Sequence, residues 1–300
     1  MRRRKVKNFN KSVRAERYLF YNPIDTRNIL YNIIEHGGNF EKNINLLFSR
    51  LIPIFTDGAG KSKDEHLNFV VREFERFKSK IPIFSLLNSR RENLIKSMEK
   101  AGFVFRIFNA SSRWRLIIGL GATHPEETSM TLHHIYGVPY IPGSAVKGVT
   151  KHWAVLKFAD SSNNKGVNEI SAALEEGRDL NIEIEGIKFS ELIRIFGTQK
   201  KAGEVIFMDA YPLREDAISL KIDIMNPHYP KYYSEKQPPA DWQNPVPIKF
   251  LTVEKTNFQF CLISKDNSLL QKSEMLLKEA LKNSGVGAKT SLGYGIFDLV

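Results

Sequence analysis

The chain has 300 residues, of which 42% are hydrophobic and 26% are charged, and its mean hydropathy is -0.30. This composition is typical of a globular protein with one large domain or two smaller ones, and it excludes an intrinsically disordered chain. No apolar run reaches the roughly 18–20 residues that cross a bilayer, and none follows the basic residues at positions 2–5, so we expect neither a membrane protein nor a secreted one. The single cysteine, Cys261, excludes an internal disulfide and suits a reducing cytoplasm.

The charge balance is strongly basic. The chain has 44 Lys and Arg against 33 Asp and Glu, which gives a net charge of +11, and a surplus of this size favours binding to polyanions such as nucleic acid. Residues 1–17 hold eight Lys and Arg and one Glu, so this basic arm alone contributes +7. The arm is either a nucleic-acid contact or a solvated tail that aids solubility.

Residues 18–102 are predicted to form a helical N-terminal region. Three segments show apolar residues at 3.6-residue spacing behind a helix-start signal. The signals are Asn39, the capping-box pattern Ser62-Lys63-Asp64-Glu65 and the similar Ser89-Arg90-Arg91-Glu92. The last two helices are predicted to end before Pro82 and at Gly102.

Beyond Gly102 the spacing of apolar residues changes from 3.6 to 2, which indicates strands. Strands are predicted at residues 103–108, 113–118, 205–209, 218–224, 248–263 and 291–300. A helix is predicted from Ser144 to about Leu156, and another begins with the capping box Ser268-Leu269-Leu270-Gln271 and ends before Gly285.

From Arg113 onward we interpret the order of elements as β-α-β-β-α-β. This is the ferredoxin-like arrangement, an antiparallel sheet with two helices on one face, which also occurs in RNA-recognition domains whose open sheet face can stack bases. The predicted fold class is therefore α+β, with a ferredoxin-like (RRM-like) βαββαβ core within residues 103–300, after the helical N-terminal region.

Two segments exceed ordinary connections and are predicted to be insertions in this core. Residues 159–203 combine charges with a modest helical pattern. Residues 225–247 hold six of the 13 prolines. They also hold aromatic residues and lysines: Tyr229, Tyr232, Tyr233, Trp242, Lys231 and Lys236. These aromatic side chains either stack on bases, form a protein interface or pack the insertion on its own sheet.

The first candidate site is the start of the helix at Ser144. Ser144 can cap this helix, and the free backbone N–H groups beyond Gly143 can bind an anion such as phosphate. Lys147 and Lys151 are four residues apart and share one helix face. The alternative is an ordinary capped helix with solvated lysines.

The second candidate site is the glycine-rich loop, residues 285–295, with the sequence GVGAKTSLGYG. It is not a nucleotide P-loop, because Ala288 stands directly before Lys289, and it is not a dinucleotide fingerprint, because Thr290 takes the place of the third glycine. A loop with four glycines, one lysine and one aromatic residue suits close contact with a nucleic-acid backbone.

These segments resemble those of a known family. Residues 287–295, just before a terminal strand, resemble the glycine-rich loop of the RAMP superfamily, the repeat-associated proteins of CRISPR systems. Residues 119–148, 203–211 and 226–229 are similar to one family within it, the sixth subunits of the type III-B (Cmr) RAMP module. The resemblance covers roughly residues 103–300.

The resemblance implies a backbone subunit of a type III-B CRISPR effector ribonucleoprotein, which binds CRISPR RNA, target RNA and other subunits of the complex. In this family, target cleavage is attributed to another RAMP subunit, through an aspartate in the loop after the first strand. Here that loop holds Glu126 and Glu127 but no aspartate between Gly121 and Gly143, so we infer a non-catalytic role.

The residues predicted to bind RNA come from both candidate sites and one histidine. They are Gly143, Ser144, Lys147, Lys151, His134, Gly287, Lys289, Thr290 and Tyr294. No cofactor and no metal are expected.

Histidines support an alternative hypothesis. His124, His133, His134 and His152 are close in sequence, and some RAMP relatives that process CRISPR RNA precursor use a histidine as general base. A metal-independent endoribonuclease that uses His133 or His134 with Lys147 is therefore a second hypothesis, and a protein-only scaffold is a third. A zinc site is not expected, because adjacent histidines in a strand point opposite ways.

Overall fold

The structure is a computed structural model that describes residues 18–20, 22–35, 43–51, 53–56, 61–62, 64–78, 83–124, 128–162, 165–214, 218–226, 238 and 247–300. The basic arm therefore lies outside the described residues. So do Asn39, Glu126, Glu127 and the aromatic residues of the insertion at 225–247.

In the residues that the structure describes, the N-terminal part of the chain combines four helices with a small sheet. The helices are α1 (Ile24–Glu35), α2 (Ile44–Ser49), α3 (Asp64–Lys78) and α4 (Ile83–Glu99). Strands β1 (Tyr18–Phe20), β2 (Pro53–Thr56) and β3 (Lys61–Ser62) pair in that order. The N-cap of α2 is Asn43, whose side chain accepts the N–H of Asn45, and α4 begins before the predicted start at Ser89.

The rest of the chain holds ten strands and four helices in the residues that the structure describes. The strands are β4 (Val104–Ser112), β5 (Arg115–Leu116), β6 (Glu183–Ile184), β7 (Ile187–Lys188), β8 (Ile206–Phe207), β9 (Tyr211–Pro212), β10 (Ser219–Met225), β11 (Ile248–Glu254), β12 (Asn257–Ser264) and β13 (Phe297–Leu299). The helices are α5 (Gly143–Ser161), α6 (Val167–Glu176), α7 (Phe189–Phe196) and α8 (Asn267–Asn283).

The main sheet is antiparallel and runs β13-β4-β12-β8, with β9 also paired to β12. Helices α5 and α8 pack against each other, and α8 also packs on β4, β12 and β13. The interface is apolar: the stacked rings of Phe108 and Phe260 have centroids 5.4 Å apart, and Leu276 and Leu277 of α8 are buried. The predicted α+β class is confirmed.

The predicted strand order was wrong in its first member. The strand next to β12 in the main sheet is β4, whereas residues 115–116 belong to a second sheet of order β10-β11-β5. The predicted strand at 248–263 is two strands, because the chain turns at Lys255, which has a φ of 42°. Residues 290–292 form a 3-10 turn, so that the last strand covers only three residues.

The insertion predicted at 159–203 is folded onto the core. Helix α7 is amphipathic and buries Phe189, Leu192 and Ile195. Its exposed face carries Arg194, which donates to Glu204 and to Asp266. Asp266 is also the N-cap of α8, a role that the sequence had suggested for Ser268.

Helix α4 covers part of the sheet face opposite α8. The carboxamide of Asn88 donates to the Leu213 carbonyl at 3.5 Å, and Arg91 lies close enough to Cys261 to oppose the rise in its pKa that burial causes. Ile107 and Ile206 remain 45% and 41% exposed. The face that we expected to be open for base stacking is therefore partly occupied by the chain itself.

Candidate nucleic-acid interface

The glycine-rich loop is held to the segment at 115–117 by main-chain hydrogen bonds. Ala288 N–H donates to the Ile117 carbonyl at 2.9 Å, and Gly295 N–H donates to the Arg115 carbonyl at 2.7 Å. Gly287 has a φ of 100°, and a Cβ there would lie 2.3 Å from the Ile117 carbonyl oxygen. Glycine is thus required at position 287 both by the backbone conformation and by the close approach of Ile117.

Lys289 and Thr290 are both half-buried in this loop. Lys289 has a φ of 60° and its ammonium lies 5.6 Å from the centroid of the Phe250 ring. Lys289 forms no ion pair within the residues that the structure describes. Its charge is therefore available to an anion, and Thr290, half-buried in the following 3-10 turn, lies beside it.

Tyr294, which is predicted to bind RNA, is buried beneath the loop surface. It is only 6% exposed, and its hydroxyl donates to Asp223 Oδ2 at 2.6 Å. Burial and the Asp223 carboxylate raise the pKa of Tyr294 to about 12. Arg115 forms ion pairs with Asp223 and with Glu254, so Tyr294 holds the loop in place from below and does not offer its ring to a base.

The start of α5 differs from the prediction in its cap. The N-cap residue is Pro142, and Ser144 is exposed and makes no capping hydrogen bond. The N–H of Gly143 donates to Asp209 Oδ1 at 2.7 Å, so a carboxylate from the strand region after β8 occupies the place where we expected an anion. A Cβ at Gly143 would lie 2.2 Å from the Phe207 carbonyl oxygen, which explains how α5 approaches this strand.

The two lysines of α5 that were predicted to bind RNA, Lys147 and Lys151, have different surroundings. Lys151 pairs with Glu175 of α6 at 3.1 Å. Lys147 is half-buried, and burial together with the charge of Lys151 lowers the pKa of its ammonium. Of the two, Lys147 is the one whose charge is not compensated by an ion pair in the described part of the chain.

The four neighbouring histidines do not form one cluster. His124 contacts the Phe48 carbonyl through Nε2 at 2.7 Å and stacks on the Phe48 ring, which ties it to α2. His133 stacks on His134, with ring centroids 5.1 Å apart, and of this pair only His134 is exposed. His152 is exposed on α5.

An aromatic cluster beside the start of α5 was not foreseen. His133 stacks on Tyr136 at 4.3 Å and meets Tyr140 edge-on at 5.1 Å, and Tyr140 stacks on Tyr211 at 5.7 Å. Arg90 of α4 donates to the Tyr136 hydroxyl at 2.8 Å. The rings come from two distant parts of the chain, so their only sequence signal is the density of Tyr and His at 133–140.

Main-chain hydrogen bonds connect the surroundings of the two candidate sites. The glycine-rich loop bonds to Ile117, and the neighbouring Ile118 carbonyl accepts the Thr131 N–H at 2.7 Å. Leu132 is bridged to Pro139, and Ile141, directly before α5, is bridged to Ala210. The segment from 115 to 141 therefore links both sites, although none of the described hydrogen bonds joins α5 directly to the glycine-rich loop.

Metal and membrane signals are absent from the described residues. They contain no group of three or more His, Cys, Asp or Glu side chains arranged to hold a metal ion. No helix in the same residues combines the length and apolarity that a membrane crossing needs.

Comparison with known proteins identifies the chain's relatives. A family model described as RAMPs, the RAMP superfamily, matches residues 115–298. The Cmr subunit Cmr6 of a Pyrococcus furiosus CRISPR system is 43% identical over 217 residues, which are 60% of this chain and 64% of that relative. The chain thus spans less than two thirds of the length of this relative. Cmr6 of Saccharolobus solfataricus is 23% identical over 93% of this chain and 89% of its own.

Solved structures are similar as well. The type III-B Cmr-beta complex bound to cognate target RNA contains a chain with a TM-score of 0.56 and 23% identity, over 79% of this chain and 71% of the other, which supports the fold. The crystal structure of Pyrococcus furiosus Cmr6 has a TM-score of 0.48 and 38% identity, over 66% of this chain and 98% of that one.

Proposed function

The chain belongs to the RAMP superfamily, and on that premise we propose that it is a non-catalytic, RNA-binding backbone subunit of a type III-B CRISPR effector ribonucleoprotein. In this role it holds CRISPR RNA while the guide recognises target RNA by base pairing, and it contacts other subunits of the complex. The names of the relatives, subunits called Cmr6, and the similar complex bound to target RNA support this proposal.

The observation that carries the proposal is the glycine-rich loop. The loop backbone approaches Ile117 closely, and the ammonium of Lys289 is not compensated. These features suit a protein that recognises an RNA backbone by its shape and its phosphate charge. Lys147 offers a second uncompensated charge. The segment at 115–141 links the two sites. We therefore propose that one RNA strand passes along both of them.

The strand order supports a ferredoxin-like core within residues 104–299. Taken in chain order, β4, α5, β8 with β9, β12, α8 and β13 give β-α-β-β-α-β, and the first and third of these strands are central in the sheet. We propose this assignment for the core, with the second sheet and the segment of α6 and α7 as additions to it.

The geometry of His133 favours the non-catalytic proposal over an endoribonuclease that uses His133 as its general base. Its Nδ1 accepts the N–H groups of Ile135 and Tyr136 at 3.2 and 3.3 Å. Burial, the largest cause, lowers the pKa of His133, so the ring is neutral near pH 7 with its proton on Nε2. A general base needs a free acceptor nitrogen, and in this arrangement neither nitrogen of His133 offers one.

Salt-dependent RNA binding tests the proposal. We expect Lys147→Ala and Lys289→Ala each to weaken binding to single-stranded CRISPR-repeat RNA and to reduce the slope of log affinity against log salt by about 1. Lys165→Ala is the matched control, because Lys165 is paired with Glu169 in α6. Unchanged affinity and slope in both site variants would contradict the assignment. Specific RNA cuts in EDTA that vanish in His133→Ala or in His134→Ala would favour the endoribonuclease.

A further inference from the structure

Trp114 differs from every other aromatic residue whose burial the structure describes, because it alone is exposed. It lies in the bend between β4 and β5 and is 40% exposed, whereas the other Phe, Tyr and Trp residues with described side chains are buried or half-buried. Single exposed apolar residues are common on protein surfaces, so exposure alone does not assign a role. The role follows from what surrounds the ring.

The backbone on both sides of Trp114 is fixed. Arg113 N–H donates to the Ile296 carbonyl at 2.8 Å, and the Trp114 carbonyl accepts the Lys255 N–H at 2.8 Å. The Arg115 carbonyl accepts the N–H of Gly295, which places Trp114 directly beside the glycine-rich loop. The indole therefore projects from a pinned bend and not from a loose surface segment.

Two neighbouring side chains contact the ring. Its centroid lies 4.8 Å from that of Tyr294 at an interplanar angle of 47°, and the Arg115 guanidinium lies 5.2 Å from the indole centroid. Tyr294 and Arg115 are themselves held by Asp223. A ring that is fixed before a ligand arrives loses little conformational entropy when it binds one.

Two lysines belong to the segments whose backbone is bonded to this bend. Lys255, bonded to the Trp114 carbonyl through its backbone, and Lys289 of the glycine-rich loop form no ion pair among the described residues. An exposed aromatic ring beside free lysines and a glycine-rich backbone is the combination with which proteins bind single-stranded nucleic acid: the charges follow the phosphates and the ring stacks on a base.

We infer that Trp114 is a stacking platform for one unpaired base of the RNA strand that passes the glycine-rich loop. This inference rests on the proposed function and adds to it a contact with a base beside the glycine-rich loop. Tyr294 supports the platform from beneath, and the base stacks on the outer part of the indole.

The test uses the full chain and a fluorescent single-stranded oligouridine, with an abasic strand of equal length as the second probe. We expect Trp114→Ala to reduce affinity for the strand with bases about five- to one-hundredfold and to leave its affinity for the abasic strand and the salt slope unchanged. Trp114→Phe keeps a ring, so its affinity stays close to wild type while the quenching of tryptophan fluorescence by RNA is reduced. Leu86→Ala removes an exposed side chain from α4 and is the control.

The outcomes separate this inference from the proposed function. A wild-type chain that binds neither strand overturns both. A wild-type chain that binds RNA, with Trp114→Ala binding equally well, overturns the stacking platform alone, and so does an equal loss of affinity for the two strands. Should Trp114→Ala unfold, the Trp114→Phe fluorescence decides, because quenching that is unchanged in this variant contradicts a base on the indole.

Discussion

The glycine-rich loop and the start of α5 were both predicted to bind phosphate, yet they satisfy their polar groups in opposite ways. N–H groups of the loop donate to neighbouring backbone carbonyls, as that of Ala288 does to Ile117. The charge of Lys289 remains uncompensated. The start of α5 gives the Gly143 N–H to the Asp209 carboxylate, and Lys151 is paired with Glu175. An anion thus meets the unpaired Lys289 at the loop, whereas at the helix it meets the unpaired, half-buried Lys147 together with a carboxylate already in place.

This difference separates two ways in which a chain can present positive potential. At the loop, the backbone conformation is fixed by glycine and the side-chain charge is free. At the helix, the N-terminal N–H groups attract an anion, and the protein itself supplies that anion as the carboxylate of Asp209. We therefore expect the loop to contribute more to RNA affinity than the start of α5.

The largest expected effect comes from a substitution that breaks the loop itself. Gly287→Ala places a Cβ 2.3 Å from the Ile117 carbonyl oxygen at a φ of 100°, so backbone must shift, and we expect the free energy of unfolding to fall by about 3 kcal/mol. RNA affinity should fall with it. Thermal or urea unfolding measures the first effect, and fluorescence anisotropy the second.

Gly293→Ala is the matched control in the same loop. Gly293 has a φ of 91°, but no atom lies within 4 Å of the added Cβ, so only backbone strain of about 1 kcal/mol remains. Equal losses of stability for the two variants would show that contact with Ile117 does not fix the loop. The comparison between loop and helix would then lose its structural basis.

The sequence indicated both candidate sites but not the residues that contact them in the fold. Glycine spacing indicated the loop at 285–295, and the turn before Ser144 indicated a helix start, because both signals are local. Asp209 lies 66 residues from Gly143 along the chain, and Asp223 lies 71 residues from Tyr294. Contacts over such separations depend on the strand pairing, and a single sequence does not encode them as a pattern.

The same reason explains the errors in the fold. The alternation at 113–118 is as regular as that at 103–108, and only the long pairing of β4 with β12 decides which strand belongs to the main sheet. Trp114 fitted this alternation and was read as a strand residue, whereas it occupies the bend between two sheets. Exposure, the property that distinguishes it, is not visible in the periodicity.

A moderate effect is expected from the carboxylate at the start of α5. Asp209→Asn keeps an acceptor for the Gly143 N–H but removes the charge, so we expect stability within about 0.5 kcal/mol of wild type and RNA affinity that rises severalfold at low salt. Asp209→Ala also removes the acceptor and should cost about 1 kcal/mol of stability. Anisotropy titrations of both variants measure the affinity. An affinity that falls in Asp209→Asn would mean that RNA contacts this carboxylate through a hydrogen bond.

The smallest expected effect is a difference in acid sensitivity between the two regions. Burial raises the pKa of Asp223, but hydrogen bonds from Tyr294 and Arg115 outweigh it and hold that pKa below the usual value of 3.8. The stability that this carboxylate contributes is therefore fully present above pH 3.8 and is lost only as the pH falls through its lower folded pKa.

His133, beside the start of α5, responds to milder acid. Burial lowers its pKa from 6.5, so the neutral ring stabilises the fold fully above pH 6.5, and this contribution is lost as the pH falls through the lower folded pKa. Protonation at Nδ1 also breaks the bonds from Ile135 and Tyr136. NMR spectra recorded between pH 7 and about 4.5 should therefore show amide shifts at 133–136 before any at 286–295. Simultaneous changes in both segments would indicate that acid acts on the fold as a whole and not on His133.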